Sequence, residues 1–266
     1  MSDVSLAFMF LDESMDESLD LASLTGVLVP LHAYCAVRDA ICRLVWEVLA
    51  PPPNTVPQPI ELHARKLLPE LDHLPQAKAD DARLHVLRST TKIVNEYGLR
   101  VHRVCYTNRA EIAAMFRGDP KLYARNFFGI QSGLQDLMET TIVLPVMDGV
   151  PGTTKGKKAP SIDPSLVRAF AAGVRWIHHV RHCDAVSGFL SIKNAHNLAE
   201  PVFGDSTHAT LLQLVDLVSY LLLQRDRAEL MPDHKTSEFK TAVLEVSQGL
   251  DTRLLALWRG KLELHA

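Results

Sequence analysis

Five acidic residues are the chemically most suggestive groups in this sequence: Asp12, Glu61, Asp148, Asp205 and Asp216. Asp12 follows Ala7-Phe8-Met9-Phe10-Leu11, an unbroken apolar run of the kind that forms a central strand covered on both faces. The spacing places Asp12 and Glu13 at the exit of that strand, Asp12 on the face of Phe8 and Phe10 and Glu13 on the face of Met9 and Leu11. A carboxylate so placed is costly to desolvate unless it meets a partner or a metal, although Asp12-Glu13-Ser14 would equally open a polar turn. Thr141 to Met147 repeats the layout, an apolar run that exits on Asp148-Gly149, where Asp148 could also serve as a turn former.

A third acid stands on a helix pattern. Gln213, Asp216 and Tyr220 fall at i, i+3 and i+7, one face of an otherwise apolar stretch. Asp is a poor helix former and a poor core residue, so something must stabilise it there, and a hydrogen bond to a neighbouring hydroxyl or backbone group would suffice. Asp205, just ahead of that helix, suits an N-cap, and Glu61 has Arg65 at i+4 for an ordinary exposed pair. Taken together, the acids propose carboxylates converging at one sheet edge. Like charges so close repel, and a divalent cation relieves the repulsion. Two Mg²⁺ ions about 3.5–4 Å apart at such a cluster would clamp the attacking and leaving oxygens of a phosphodiester.

The elements that must position these acids read as follows. Leu24 to Pro30 is a second strand, hairpin-paired with the first, and a helix runs from about His32 to Leu49 with Val37, Ile41, Leu44, Val45 and Val48 at helical spacing. The proline-rich stretch 51–59 breaks it. Ile60 to Ala64 suits a short strand leading into a helix from Arg65 to Leu71. Asp80 to Tyr97 is an amphipathic helix with Leu84, Leu87, Ile93 and Val94 inward and Gly98 as its stop. Leu99 to Tyr106 and Thr141 to Met147 are strands, with a helix opening at Pro120 between them. The stretch 150–160 is a Gly-, Thr- and Lys-rich loop; a helix capped by Asp163-Pro164 and a strand over Val186 to Ile192 come next. Phe203 to Ser206 turns into the helix Thr207 to Arg225, and the tail from Thr236 to Leu264 is one broken or two short helices. A hairpin followed by alternating helices and strands argues for an α/β domain with a mixed sheet.

The 266 residues suffice for one such domain with a sizeable core. A composition of 47% hydrophobic and 22% charged residues is that of a soluble globular protein, and a net charge of -3 gives no global basic signature. Nucleic-acid contact would therefore need a local patch. Four cysteines with no CxxC pair point to buried thiols in a reducing compartment. With no signal-peptide pattern and no apolar run long enough to span a bilayer, a cytoplasmic protein without a membrane partner is expected.

Two further clusters compete. His178 and His182 have the i, i+4 spacing of zinc ligands, but no second pair lies nearby and a solvated helix face is the simpler reading. Lys155, Lys157 and Lys158 follow Asp148 in the loop and could meet phosphates beside the acids, or simply be solvated. Neither G-x-S-x-G nor a P-loop is present.

Leu11-Asp12-Glu13-Ser14, Glu61-Leu62-His63-Ala64, the acid-ended strand at Asp148, and Asp205-Ser206 before Leu212-Gln213-Leu214-Val215-Asp216 together resemble the family called domain of unknown function 3800. The resemblance spans about Ala7 to Gln224. It implies a ribonuclease-H-like α/β fold, a mixed sheet flanked by helices with extra C-terminal helices. The single domain 1–266 would have its core at about 7–225 and a helical extension over 226–266. It also implies Asp12 as the shared metal ligand, Glu61, Asp148 and Asp216 completing a catalytic set, and Asp205 as a fifth candidate ligand for Mg²⁺ or Mn²⁺. The implied activity is phosphodiester hydrolysis on DNA or RNA, with the lysine loop helping to hold the backbone. The rival is a non-catalytic nucleic-acid- or protein-binding module of the same fold, in a mobile-element or phage-defence setting.

Overall fold

β1, Ser5–Asp16, is the strand about which the sheet is built. It pairs antiparallel with β2 (Leu21–Pro30) on one side and parallel with β4 (Thr141–Asp148) on the other. The computed structural model describes residues 5–16, 21–49, 74–106, 140–148, 202–204, 209–230, 237–250 and 252–258. These supply α1 (Leu31–Leu49), α2 (Gln76–Glu96), β3 (Arg100–Tyr106), β5 (Val202–Gly204), α3 (Thr210–Leu230), α4 (Glu238–Gln248) and β6 (Thr252–Trp258) as well.

The six strands lie in the order β5-β4-β1-β2-β3-β6. β2 is antiparallel to both its neighbours, while β1–β4, β4–β5 and β3–β6 are parallel, so β2 alone runs against the rest. The protein is an α/β domain with a mixed sheet flanked by helices. Among the described residues no helix is long and apolar enough to cross a membrane.

Both faces of β1 are covered, as its apolar run predicts. Met9 and Leu11 on one face and Phe10 on the other are almost fully buried, and burying each such side chain contributes about 1.5–3 kcal/mol. Gly26 of β2 lies opposite Leu11. A Cβ at Gly26 would stand 3.1 Å from Leu11 Cδ2, so the glycine is what lets the leucine pack flat across the neighbouring strand. On the other face Phe10, Val27, Val29 and Val101 join one core with α1, α2, α3 and α4.

The helices follow their sequence logic. Val37, Ile41 and Leu44 bury one stripe of α1. α2 buries Leu84, Leu87, Ile93 and Val94 and stops at Gly98, whose φ of 59° is the left-handed conformation that glycine adopts without penalty. Ser237 caps α4, its side chain accepting from the Lys240 amide. α3 is apolar nearly all round and correspondingly buried.

Several expectations are corrected. β1 does not end at its acids: it continues to Asp16, so Asp12 lies inside the strand and not in a polar turn. The ladder to β2 extends through Asp12↔Thr25 and Ser14↔Ser23 to Asp16↔Leu21, which keeps polar residues extended. The C-terminal segment is not wholly helical, because Thr252–Trp258 is a strand that takes the open edge of β3. A short apolar run of that kind suits either element, and the free ladder decides it. α3 opens at Thr210 and not at Thr207, and β5 precedes it. Cys35 and Cys42 are exposed on α1 and not buried, since they fall opposite its apolar stripe. The proposed elements at 60–71, 120–139 and 163–192 lie outside the described residues.

One polar network crosses the core. Arg103, in the middle of β3, is completely buried and pairs with Asp226 of α3 at 2.6 Å. It also donates to the Leu222 carbonyl at 3.2 Å and to Ser23 Oγ at 3.0 Å, and Ser23 Oγ in turn lies 2.7 Å from Ser14 Oγ. Burial pushes the Asp226 carboxyl above its ordinary range, against the pull of Arg103. Breaking such a pair from one side is far worse than replacing both partners. Asp226→Ala is thus expected to lower the unfolding free energy by about 3–5 kcal/mol in urea denaturation, and the double replacement Arg103→Met with Asp226→Leu to recover most of it. A single variant as stable as the wild type would show that the pair has no part in seating α3.

Candidate functional site

The parallel ladder between β1 and β4 runs in register from Ser5↔Thr141 to Leu11↔Met147. One step further along both strands stand Asp12 and Asp148. The two acids therefore occupy laterally adjacent positions on neighbouring parallel strands, on the face that also bears Phe8, Phe10, Leu144 and Val146. Asp148 in turn pairs with Gly204 of β5, the residue that immediately precedes Asp205. Asp12 itself is half-buried, between the fully buried Leu11 and the part-buried Ser14.

α3 brings the third acid. Arg227 Nε donates to the Asp16 carboxylate, which is 5% exposed. Asp16 and Asp12 share one face of β1, since both are even-numbered positions of the same strand. Asp216 and Arg227 are eleven residues apart, three helical turns plus about 20°, so they share one stripe of α3. The Arg227–Asp16 pair thus turns toward β1 the stripe that holds Asp216. That stripe, with Tyr220 and Gln224, is the less buried one on a helix otherwise sequestered, and burial raises the Tyr220 phenol above its ordinary range. Gln213, on the same stripe one turn earlier, is buried.

The structure therefore brings Asp12 and Asp148 side by side and sets Asp216 on the helix stripe anchored over β1. Glu61, Asp205, the lysines 155, 157 and 158, and His178 and His182 lie outside the described residues. Of the five candidate acids only Asp12 and Asp216 have described side chains, and among the described residues no three His, Cys, Asp or Glu side chains form a metal-sized group. The donor chemistry suits a hard divalent cation, which takes carboxylate oxygens. Arginines hold Asp16 and Asp226, Arg227 and Arg103 respectively.

Sequence reasoning missed Arg103, Asp226, Ser23 and Thr25. An arginine at an inward position of the strand pattern Leu99 to Tyr106 was the available signal for the first. Its partner on α3 could not be read without the fold.

Comparison with protein-family models, with curated proteins and with solved structures found no match to this chain.

Adjacent like charges on neighbouring strands destabilise each other by up to about 1 kcal/mol. In the presence of a chelator, Asp12→Asn and Asp148→Asn are each expected to raise the melting temperature by about 2–4 °C. The double variant should gain less than the sum, because one substitution already removes the repulsion. Strict additivity would place the two carboxylates out of each other's reach.

Proposed function

We propose that the chain is a metal-dependent phosphodiester hydrolase acting on DNA or RNA, with a ribonuclease-H-like core. The observation that supports this most is the adjacency of Asp12 and Asp148 on the two parallel strands β1 and β4, beside a helix, α3, that carries Asp216 and is tied to β1 through Arg227 and Asp16. The strand order β5-β4-β1-β2-β3, with only β2 reversed, is compatible with such a core. The likeness of the acidic motifs to the domain of unknown function 3800 family points the same way.

On this reading Asp12, Asp148 and Asp216 hold Mg²⁺ or Mn²⁺, with Glu61 and Asp205 as further ligands. The bound ions supply Lewis-acid stabilisation of charge on phosphoryl oxygens and acidify water. The chain contributes rigidity and charge. Asp12 sits on a strand packed on both faces, so its backbone position is fixed. Arg227 neutralises Asp16 and keeps a fourth acid of the β1–α3 layer from adding to the repulsion. Lys155, Lys157 and Lys158 follow Asp148 in sequence closely enough to contact the substrate backbone without reading its sequence.

The test pairs binding with turnover. Millimolar Mg²⁺ or Mn²⁺ should raise the melting temperature of the wild type, the stabilisation reaching about 2.7 kcal/mol at a hundred times the dissociation constant. Labelled single- and double-stranded DNA and RNA should be cleaved in the same buffers. Asp12→Asn should fold, lose most of the metal-induced stabilisation and cut at background level. A wild type that neither shifts its melting curve nor cleaves any of these polymers would refute the proposal. Stabilisation by metal without cleavage would favour the non-catalytic binding module.

A further inference from the structure

Thr25 of β2 is fully buried, and its hydroxyl makes no hydrogen bond. It stands directly across from Asp12 on β1 and directly across from Arg103 on β3, in one row over the face that meets α3. Side chains opposed in this way have Cβ atoms about 4.5–5.5 Å apart, within reach of a hydroxyl-to-carboxylate hydrogen bond after a change of rotamer. Arg103 Nε, on the far side of the row, also makes no hydrogen bond. Leaving a buried hydroxyl unmet costs about 1–3 kcal/mol, so its presence here asks for a state of the protein in which it is used.

The next row of the same strand shows what that use would be. Ser23 has the same kind of neighbours, Ser14 on β1 and the Arg103 guanidinium on the β3 side, and it bonds to both. Its hydroxyl links a β1 side chain to the buried arginine. Thr25 has a carboxylate where Ser23 has a hydroxyl, and the link is not made.

Resting on the metal-site reading above, we infer that Thr25 is a positioning residue for Asp12. When a divalent cation occupies the site, the Thr25 hydroxyl donates to the Asp12 carboxylate and accepts from Arg103 Nε. With Asp12 as a ligand of that cation, the Thr25 hydroxyl would fix the orientation of the carboxylate. Arg103 then contributes part of its charge to the site through a neutral link instead of competing with the metal for the acid. Partners of this kind orient ligating carboxylates, and their loss typically costs about 10–100-fold in metal affinity.

The test uses the full chain, Mn²⁺ as the probe and isothermal titration as the readout, with melting curves in a chelator alongside. Thr25→Val keeps the shape and removes the hydroxyl; Thr25→Ser keeps the hydroxyl. The expected result is that Thr25→Val melts at or above the wild-type temperature without metal, because an unmet polar group has been removed. Its Mn²⁺ affinity should nonetheless fall by about 10–100-fold, and Thr25→Ser should restore it to within a few-fold of wild type. Unchanged Mn²⁺ affinity in Thr25→Val, with wild-type binding abolished by Asp12→Asn, overturns this inference and leaves the metal site standing. Loss of stability of Thr25→Val in the chelator also overturns it, since the hydroxyl would then be engaged without metal. Wild-type binding that Asp12→Asn does not alter removes the metal site itself, and the inference with it.

Discussion

Two arginines decide where α3 lies on the sheet, and the candidate site depends on that seating. Arg227 reaches from α3 to Asp16 at the end of β1, and Arg103 reaches from β3 to Asp226 and to the Leu222 carbonyl on α3. Apolar packing alone would hold a helix so uniformly hydrophobic against the core without fixing its rotation, because many of its stripes bury equally well. The two ion pairs are specific in direction. They select the rotation in which the stripe of Asp216, Tyr220 and Gln224 stays part-exposed while the rest of the helix is buried. A buried guanidinium is expensive to desolvate, and here it is offset by a carboxylate, a backbone carbonyl and a hydroxyl. Conformational specificity, more than net stability, is what such an arrangement supplies.

Much of this was legible in the sequence. The apolar run at Ala7 to Leu11 announced a doubly covered strand, the pattern of α2 announced both its inward residues and its glycine stop, and the repeat of an apolar run before Asp148 announced a second strand of the same kind. These signals are local: side-chain period, turn chemistry and apolar continuity. The extent of β1 was not legible, because Asp12 to Asp16 reads as a polar turn by composition. It is held extended by cross-strand partners, Thr25 and Ser23 among them, that only the pairing reveals. The edge strand β6 escaped for the same reason, since its apolar run of five residues, Leu254 to Trp258, takes its form from whatever ladder is open to it.

The site was legible as a list of acids and not as a geometry. Spacing alone could place Asp12 and Asp148 at strand ends but could not say that the strands are neighbours, parallel and in register to within one residue of both acids. Nor could it show that arginines hold Asp16 and Asp226. The polar row Asp12–Thr25–Arg103 was invisible for a different reason, because it joins three strands through single residues that have no motif of their own.

The central claim is that Asp12, Asp148 and Asp216 converge on one divalent-metal site. Crystals grown with Mn²⁺ and measured at the manganese absorption edge address it directly. The account predicts anomalous density between β1, β4 and α3, coordinated by carboxylate oxygens of Asp12, Asp148 and Asp216. Two-metal sites hold their ions only about 4 Å apart. Finding any of the three carboxylates more than about 10 Å from the other two, or manganese bound elsewhere with Asp12 untouched, would contradict it.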